Sequence, residues 1–160
     1  MAQRPLSKID QLLLGVDKAL RAVVPHSNPS TRPLPVSSDE IPELSINEAR
    51  HVAGLMRINH TGEVCAQGLY HGQAFAAKND DVKQAMQQSA EEEVDHLVWC
   101  EVRLDELGSH PSIFTPLWYG MSFGLGAVAG AISNEFSLGF VAETEAQVSE
   151  HLQDHIGQLP

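Results

Sequence analysis

The sequence Glu93-Val94-Asp95-His96 sets a carboxylate and an imidazole three residues apart. On an α-helix that spacing puts both side chains on one face. Two further glutamates, Glu63 and Glu145, each interrupt an otherwise largely apolar stripe of helical period. The first stripe is Val52, Met56, Asn59, Glu63, Ala66, Tyr70. The second is Val82, Met86, Ser89, Glu93, His96, Cys100, Leu104, and the third is Leu138, Val141, Glu145, Val148, Leu152, His155. An ionised carboxylate without a partner is costly in a core. Three of them facing one interior repel each other unless protons or cations neutralise them. Carboxylates with an imidazole suit iron or manganese, whereas a structural zinc site favours Cys and His.

Taken alone, a Glu-x-x-His is a weak signal. Glu91 and Glu92 adjoin it, and an acidic run usually marks a solvated helix face. Mid-stripe carboxylates coinciding in three separate segments point to a metal site. Cys65 and Cys100 are expected as small core residues rather than ligands. His60 and His71 flank the Glu63 stripe without joining it and are assigned no role.

The elements that must carry these residues are helical. Ser45-Ile46-Asn47-Glu48 has the spacing of a capping box, so a long helix is expected from Ser45 to about Lys78. Asn79-Asp80-Asp81 forms a turn and a new cap, and a second long helix runs to Leu107, where Gly108 and Pro111 stop it. Pro116 to Ala131 is apolar and glycine-rich, and Asn134 to His155 is amphipathic. At the other end, residues 7–24 read as an amphipathic helix capped by Ser7, with Ile9, Leu12, Leu13, Val16, Leu20 and Val23 on one face. Docking of that face on the main body is preferred over a membrane-surface role. Residues 25–44 hold Pro25, Pro29, Pro33, Pro35 and Pro42 and are read as a linker. The expected organisation is therefore a helix over 1–24, a linker over 25–44 and a helical bundle over 45–160.

Composition agrees with this plan and narrows the function. The chain has 160 residues, enough for one domain, with 21 acidic and 10 basic side chains and a formal charge of −11. That balance argues against a nucleic-acid binder, which needs clustered Lys and Arg. Two cysteines are too few for a disulfide-stapled scaffold. The first 24 residues show no export signal, since the run Leu12 to Val16 is short and is followed by Asp17 and Lys18.

The ligand pattern matches that of ferritin-like di-iron bundles, in which two helices each give one Glu and two others each give a Glu-x-x-His. Glu63 and Glu145 fit the single-Glu roles, and Glu93 with His96 fits one pair. The segments Leu55–Gln73 (LMRINHTGEVCAQGLYHGQ), Ala90–Cys100 (AEEEVDHLVWC) and Pro116–His151 carry a closer likeness. In them the chain resembles the demethoxyubiquinone hydroxylase family, over nearly everything from Ser45 onward. The resemblance implies an all-α, ferritin-like antiparallel helical bundle with an extra N-terminal amphipathic helix. It also implies a di-iron monooxygenase of ubiquinone biosynthesis, with demethoxyubiquinol and dioxygen as substrates. By motif match, Glu63 corresponds to a terminal ligand of the first iron, Glu93 to a bridging ligand, His96 to a first-iron ligand and Glu145 to a ligand of the second iron. Two ferrous ions would together deliver the two electrons that activate dioxygen.

The sequence also departs from the family pattern. The family's second Glu-x-x-His lies further on, and none follows His96 in these 160 residues: Glu143, Glu145 and Glu150 are followed at +3 by Ala146, Val148 and Gln153. The bundle is therefore expected to be incomplete on its C-terminal side, by truncation rather than by a helix supplied in trans. Three carboxylates and one histidine leave up to one positive charge uncompensated against two ferrous ions. His151, six residues past Glu145, is a candidate hydrogen-bond partner behind that ligand, and a solvent-exposed histidine is the competing reading.

Between Glu106 and Glu135, 28 residues carry no Asp, Glu, Lys or Arg. They include Gly120-x3-Gly124 and Gly126-x3-Gly130, spacings that let helices approach closely. The segment is read as a helix packed on the bundle or dipping into a bilayer interface, beside a channel for a polyprenyl tail; a fully buried core helix is the alternative. The expected location is the cytoplasmic face of the cell membrane, held peripherally by apolar insertion, since the acidic charge disfavours anionic lipid. Other proteins of ubiquinone biosynthesis are candidate partners. Two competing readings are another ferritin-like iron protein and a non-catalytic, membrane-associated protein that binds quinone or a partner.

Overall fold

A computed structural model of the chain describes residues 7–35 and 43–160. The first six residues of the expected N-terminal segment and residues 36–42 of the expected linker lie outside the described part. Five helices follow in order: α1 (Lys8–Val23), α2 (Ile46–Ala76), α3 (Asp80–Glu106), α4 (Thr115–Ile132) and α5 (Asn134–Ile156), with no strand among the described residues.

The helix starts follow their caps. At α2 the Ser45 hydroxyl accepts from the Glu48 amide while the Glu48 carboxylate accepts from the Ser45 amide at 2.8 Å. These reciprocal bonds satisfy two donors that a helix start leaves orphaned. Asn79 caps α3 by accepting from the Asp81 amide at 2.7 Å, and Ser133 caps α5 through the Phe136 amide. Gly108, in the left-handed region at φ 62°, turns the chain out of α3.

The bundle is assembled around α2. The three-residue turn 77–79 returns α3 antiparallel to it, and the two bury Tyr70, Ala74, Val82, Met86 and Ala90 together. On the other side α4 runs parallel to α2 at near-contact of the backbones. A Cβ on Gly68 would sit 2.6 Å from the Tyr119 carbonyl oxygen, and one on Gly130 would sit 2.8 Å from that of Gln73. Cβ atoms on Gly72 and Gly126 would strike the carbonyls of Phe123 and Leu69 outright. The expected close approach through Gly126-x3-Gly130 is thus present, and its counterpart is Gly68-x3-Gly72 on α2. Gly120 and Gly124 face open space. Single-residue linkage through Ser133 then sends α5 back, antiparallel to α4 and α2. Gln73 donates to the Ser137 carbonyl at 2.9 Å, and Val141 packs on the α2–α3 cluster. No helix is long and apolar enough to cross a membrane among the described residues.

Two expectations need correction. Helix α1 docks, but not by the expected face. Ala19, Ala22 and Val23 meet Val64, Leu97 and Tyr119, whereas Ile9, Leu12, Leu13, Val16 and Leu20 are exposed. Small alanines allow the backbone of α1 to approach the bundle, which a leucine stripe would hold away. The second correction concerns the expected linker. Its described first part, from Pro25 to Pro35, is fastened to α3 rather than free. Asp95, only 3% exposed, accepts from the Thr31 amide at 2.6 Å, and Glu101 accepts from the His26 amide at 3.0 Å. His26 adopts φ 60° to present that amide.

Candidate metal centre

Glu63 lies in the middle of α2, Glu93 and His96 one turn apart on α3, and Glu145 in the middle of α5. The α2–α3 packing brings the first three together. One donor atom from each of Glu63, Glu93 and His96 lies within 4.8 Å of the others. The His96 Nδ1 atom stands 2.7 Å from Glu93 Oε2. The group sits at the edge of the core: the Glu93 side chain is 16% exposed and that of His96 is 40% exposed.

Glu145 approaches from α5 and is held by another residue. The Tyr70 phenol, two turns beyond Glu63 on the same face of α2, donates a short hydrogen bond to Glu145 Oε1. The stripes named from the sequence therefore converge, although α5 presents its carboxylate from an exposed helix and Glu145 stays outside the three-residue group. His151 is not brought to this carboxylate. It is exposed, and its ring lies against that of His155 with centroids 4.0 Å apart.

The electrostatics carry the expected repulsion. Burial, followed by the Glu93 and Glu145 carboxylates, pushes the Glu63 pKa up to about 9. Burial beside the same acids raises the Tyr70 phenol far above its ordinary range. The Cys100 thiol rises to about 12, from burial and then from Glu63 and Glu101. Cys65 and Cys100 are free, half-buried thiols. A carboxylate that holds its proton because it is buried, and then because other carboxylates face it, is a place where a divalent cation would lower the energy. The donor set of oxygens plus one imidazole fits iron or manganese.

Several site neighbours were not singled out from the sequence. Tyr70 stood on the Glu63 stripe as a core residue, and its i+7 register was the available signal for contact with another stripe. His71 Nδ1 lies 2.9 Å from the Tyr119 hydroxyl across α2 and α4, and burial, then Lys18, pushes its pKa down to about 4. His60 is buried with its Nε2 atom 3.6 Å from Glu101. No sequence pattern marks either pair, because each spans two helices.

The ubiquinone biosynthesis protein COQ7 family model matches residues 50–160. A 3-demethoxyubiquinol 3-hydroxylase of Psychrobacter arcticus is 93% identical over 160 residues, covering 100% of this chain and 75% of that protein. The protein of the same name from Psychrobacter sp. (strain PRwf-1) is 79% identical over 97% of this chain and 73% of its own length. That of Stutzerimonas stutzeri is 59% identical over 99% of this chain and 74% of its own length. No solved structure matches. With a converging carboxylate–histidine site, an all-helical bundle and a family match over most of its length, the chain belongs to the ubiquinone biosynthesis protein COQ7 family.

Proposed function

We propose that this chain is a 3-demethoxyubiquinol 3-hydroxylase, a di-iron monooxygenase that hydroxylates the ring of demethoxyubiquinol in ubiquinone biosynthesis. The observation that carries this reading is the convergence of Glu63, Glu93 and His96 in a family member. Together with Glu145 they supply three carboxylates and one imidazole as iron ligands. Bound iron would supply the redox chemistry of dioxygen activation.

The protein's own residues hold the ligands for that chemistry. Glu63 keeps its proton in the metal-free fold and surrenders it when a cation arrives. Tyr70 orients the Glu145 carboxylate. The near-contact of α2 with α4 fixes the helix that carries Glu63.

The substrate's ring carries a polyprenyl tail, which calls for an apolar approach. Two rows support a peripheral attachment to the cytoplasmic face of the cell membrane. On α1 the row is Ile9, Leu12, Leu13, Val16 and Leu20; on the neighbouring α4 it is Leu117, Met121, Leu125 and Val128. All are exposed.

Complementation tests the activity directly. The chain is expressed in a strain unable to hydroxylate demethoxyubiquinol, and quinones are measured by mass spectrometry. Appearance of the hydroxylated product, and its loss in Glu93→Gln and His96→Ala variants, supports the reading. Quinone binding without product, in cells replete with iron, overturns it.

A further inference from the structure

We propose that Arg32, in the strap between α1 and α2, is a positioning residue for the Glu93–His96 turn of α3. The inference rests on the metal-site reading above and goes beyond it, because Arg32 is remote in sequence and is not a ligand.

The strap grips α3 at the turn that bears the ligands. Asp95, which lies between Glu93 and His96 in sequence, is the anchor. Its Oδ1 accepts from the Ser30 hydroxyl at 3.0 Å and the Thr31 amide at 2.6 Å. Its Oδ2 accepts from the Thr31 hydroxyl at 2.9 Å and from Arg32 Nε at 2.7 Å. A carboxylate pointing away from the metal group is thereby fully occupied by the strap.

The guanidinium does more than pair with this acid. Arg32 Nη2 donates to the Glu92 carbonyl at 3.1 Å. In the α-helix that carbonyl also accepts the backbone amide of His96, four residues on. Arg32 Cζ stands 5.2 Å from the centroid of the Trp99 ring, over its face. The Trp99 ring in turn lies 5.2 Å from the His96 ring, tilted by 46°. His96 is therefore bounded by Glu93 on one side and by Trp99 on another, and Arg32 fixes both Trp99 and the peptide carbonyl beneath His96.

Only a planar fork performs all three tasks at once. An ammonium offers a point charge, so Lys at this position would keep the pairing with Asp95 but lose either the Glu92 carbonyl or the stacking on Trp99. The prediction is thus specific to shape as well as to charge.

The test uses the full chain in a Trp118→Phe background, where Trp99 is the sole tryptophan. Co²⁺ is the probe, read by quenching of Trp99 emission and by the visible absorption of the bound ion. Arg32→Gln and Arg32→Lys are each expected to raise the half-saturating Co²⁺ concentration by ~10-fold or more, the usual effect of losing a residue behind a ligand. Both are expected to shift the Trp99 emission before metal is added, with helix content by circular dichroism unchanged. Arg103→Gln, at the far end of α3, is the control and stays within about twofold of the parent on the same scale. Should Arg32→Gln fail to fold, Arg32→Lys carries the test. Parental affinity and emission in Arg32→Lys would overturn the proposal. Absence of Co²⁺ binding in the parent would instead overturn the metal-site reading on which it stands.

Discussion

The Tyr70 hydroxyl donates to the Glu145 carboxylate and so ties the central helix α2 to the outer helix α5 beside three other ligand candidates. Burial and the surrounding acids raise that phenol far above its usual range, and burial pushes Tyr119 up to about 12. These are the chain's two tyrosines. In the native protein no tyrosinate absorbance should therefore develop at pH ~10, the ordinary phenol pKa, while the urea-unfolded chain titrates there. Both folded values are raised, so the stability they contribute is present below pH ~10 and is lost as pH climbs through the folded values. Tyr70→Phe should leave one phenol titrating at about 12. A native transition near pH ~10 would contradict the packing of both rings.

Glu63 gives two effects of opposite sign. Replacing it by Gln removes a carboxyl whose ionised form is opposed first by burial and then by Glu93 and Glu145. The metal-free fold at pH ~8 should then melt several degrees higher, as a gain of about 1 kcal/mol implies. Divalent-cation binding should fall by at least ~10-fold in the same variant, since a ligand is gone. Differential scanning calorimetry with and without Co²⁺ reads both effects. A variant that binds Co²⁺ like the parent removes Glu63 from the ligand set.

The glycines separate by position. Gly72→Ala and Gly126→Ala drive a methyl group into the backbone of the opposite helix. Each should cost roughly 2–4 kcal/mol, at or above the usual overpacking range, because a backbone carbonyl cannot turn aside. Gly120→Ala and Gly124→Ala meet open space and should stabilise by about 0.5–1 kcal/mol through helix propensity. Chemical denaturation of the four variants checks the contrast, and equal costs would mean that α2 and α4 are not in near-contact.

His71 predicts an acid-side loss of stability. Burial, followed by Lys18, pushes its pKa down to about 4 from the ordinary 6.5. Its neutral form is favoured in the fold, so between those values the unfolded state binds more protons. Stability is full above pH ~6.5 and declines as pH falls toward about 4. His71→Gln should flatten that part of the curve. A curve unchanged by the substitution would place the loss elsewhere, among the other histidines.

The peripheral attachment proposed above is testable at the exposed apolar face of α1. Flotation with neutral phosphatidylcholine vesicles should carry the parent chain, and Leu12→Ser with Leu13→Ser should release it, each losing about 1.5–3 kcal/mol of burial. Flotation that persists in the double variant would assign attachment to α4.

Local signals made much of this architecture legible in the sequence. Ser45, Asn79 and Gly108 mark helix ends through bonds or dihedrals that involve only neighbouring residues, and they were found where expected. The mid-stripe acids were legible because a carboxylate in an apolar stripe is anomalous wherever its partner lies. What depended on pairing between elements was not legible. Gly68 and Gly72 look like ordinary helix interior until α4 is laid on them, and Arg32 reads as linker until Asp95 meets it. The stripe of α1 has the right period for docking, but the bundle surface it meets admits only Ala19, Ala22 and Val23 at close range.

Because backbone meets backbone at Gly72 and Gly126, α2 and α4 behave as one shaft, and Glu63 is mounted on it. Helix α5 is joined to the rest by the single residue Ser133, the Gln73 amide, the Tyr70 phenol and the packing of Val141. Glu63 is therefore held by backbone contact between helices, and Glu145 by side chains and one connecting residue. A turn of the chain at Ser133, twelve residues before Glu145, would move that carboxylate and leave Glu63 where α2 and α4 hold it.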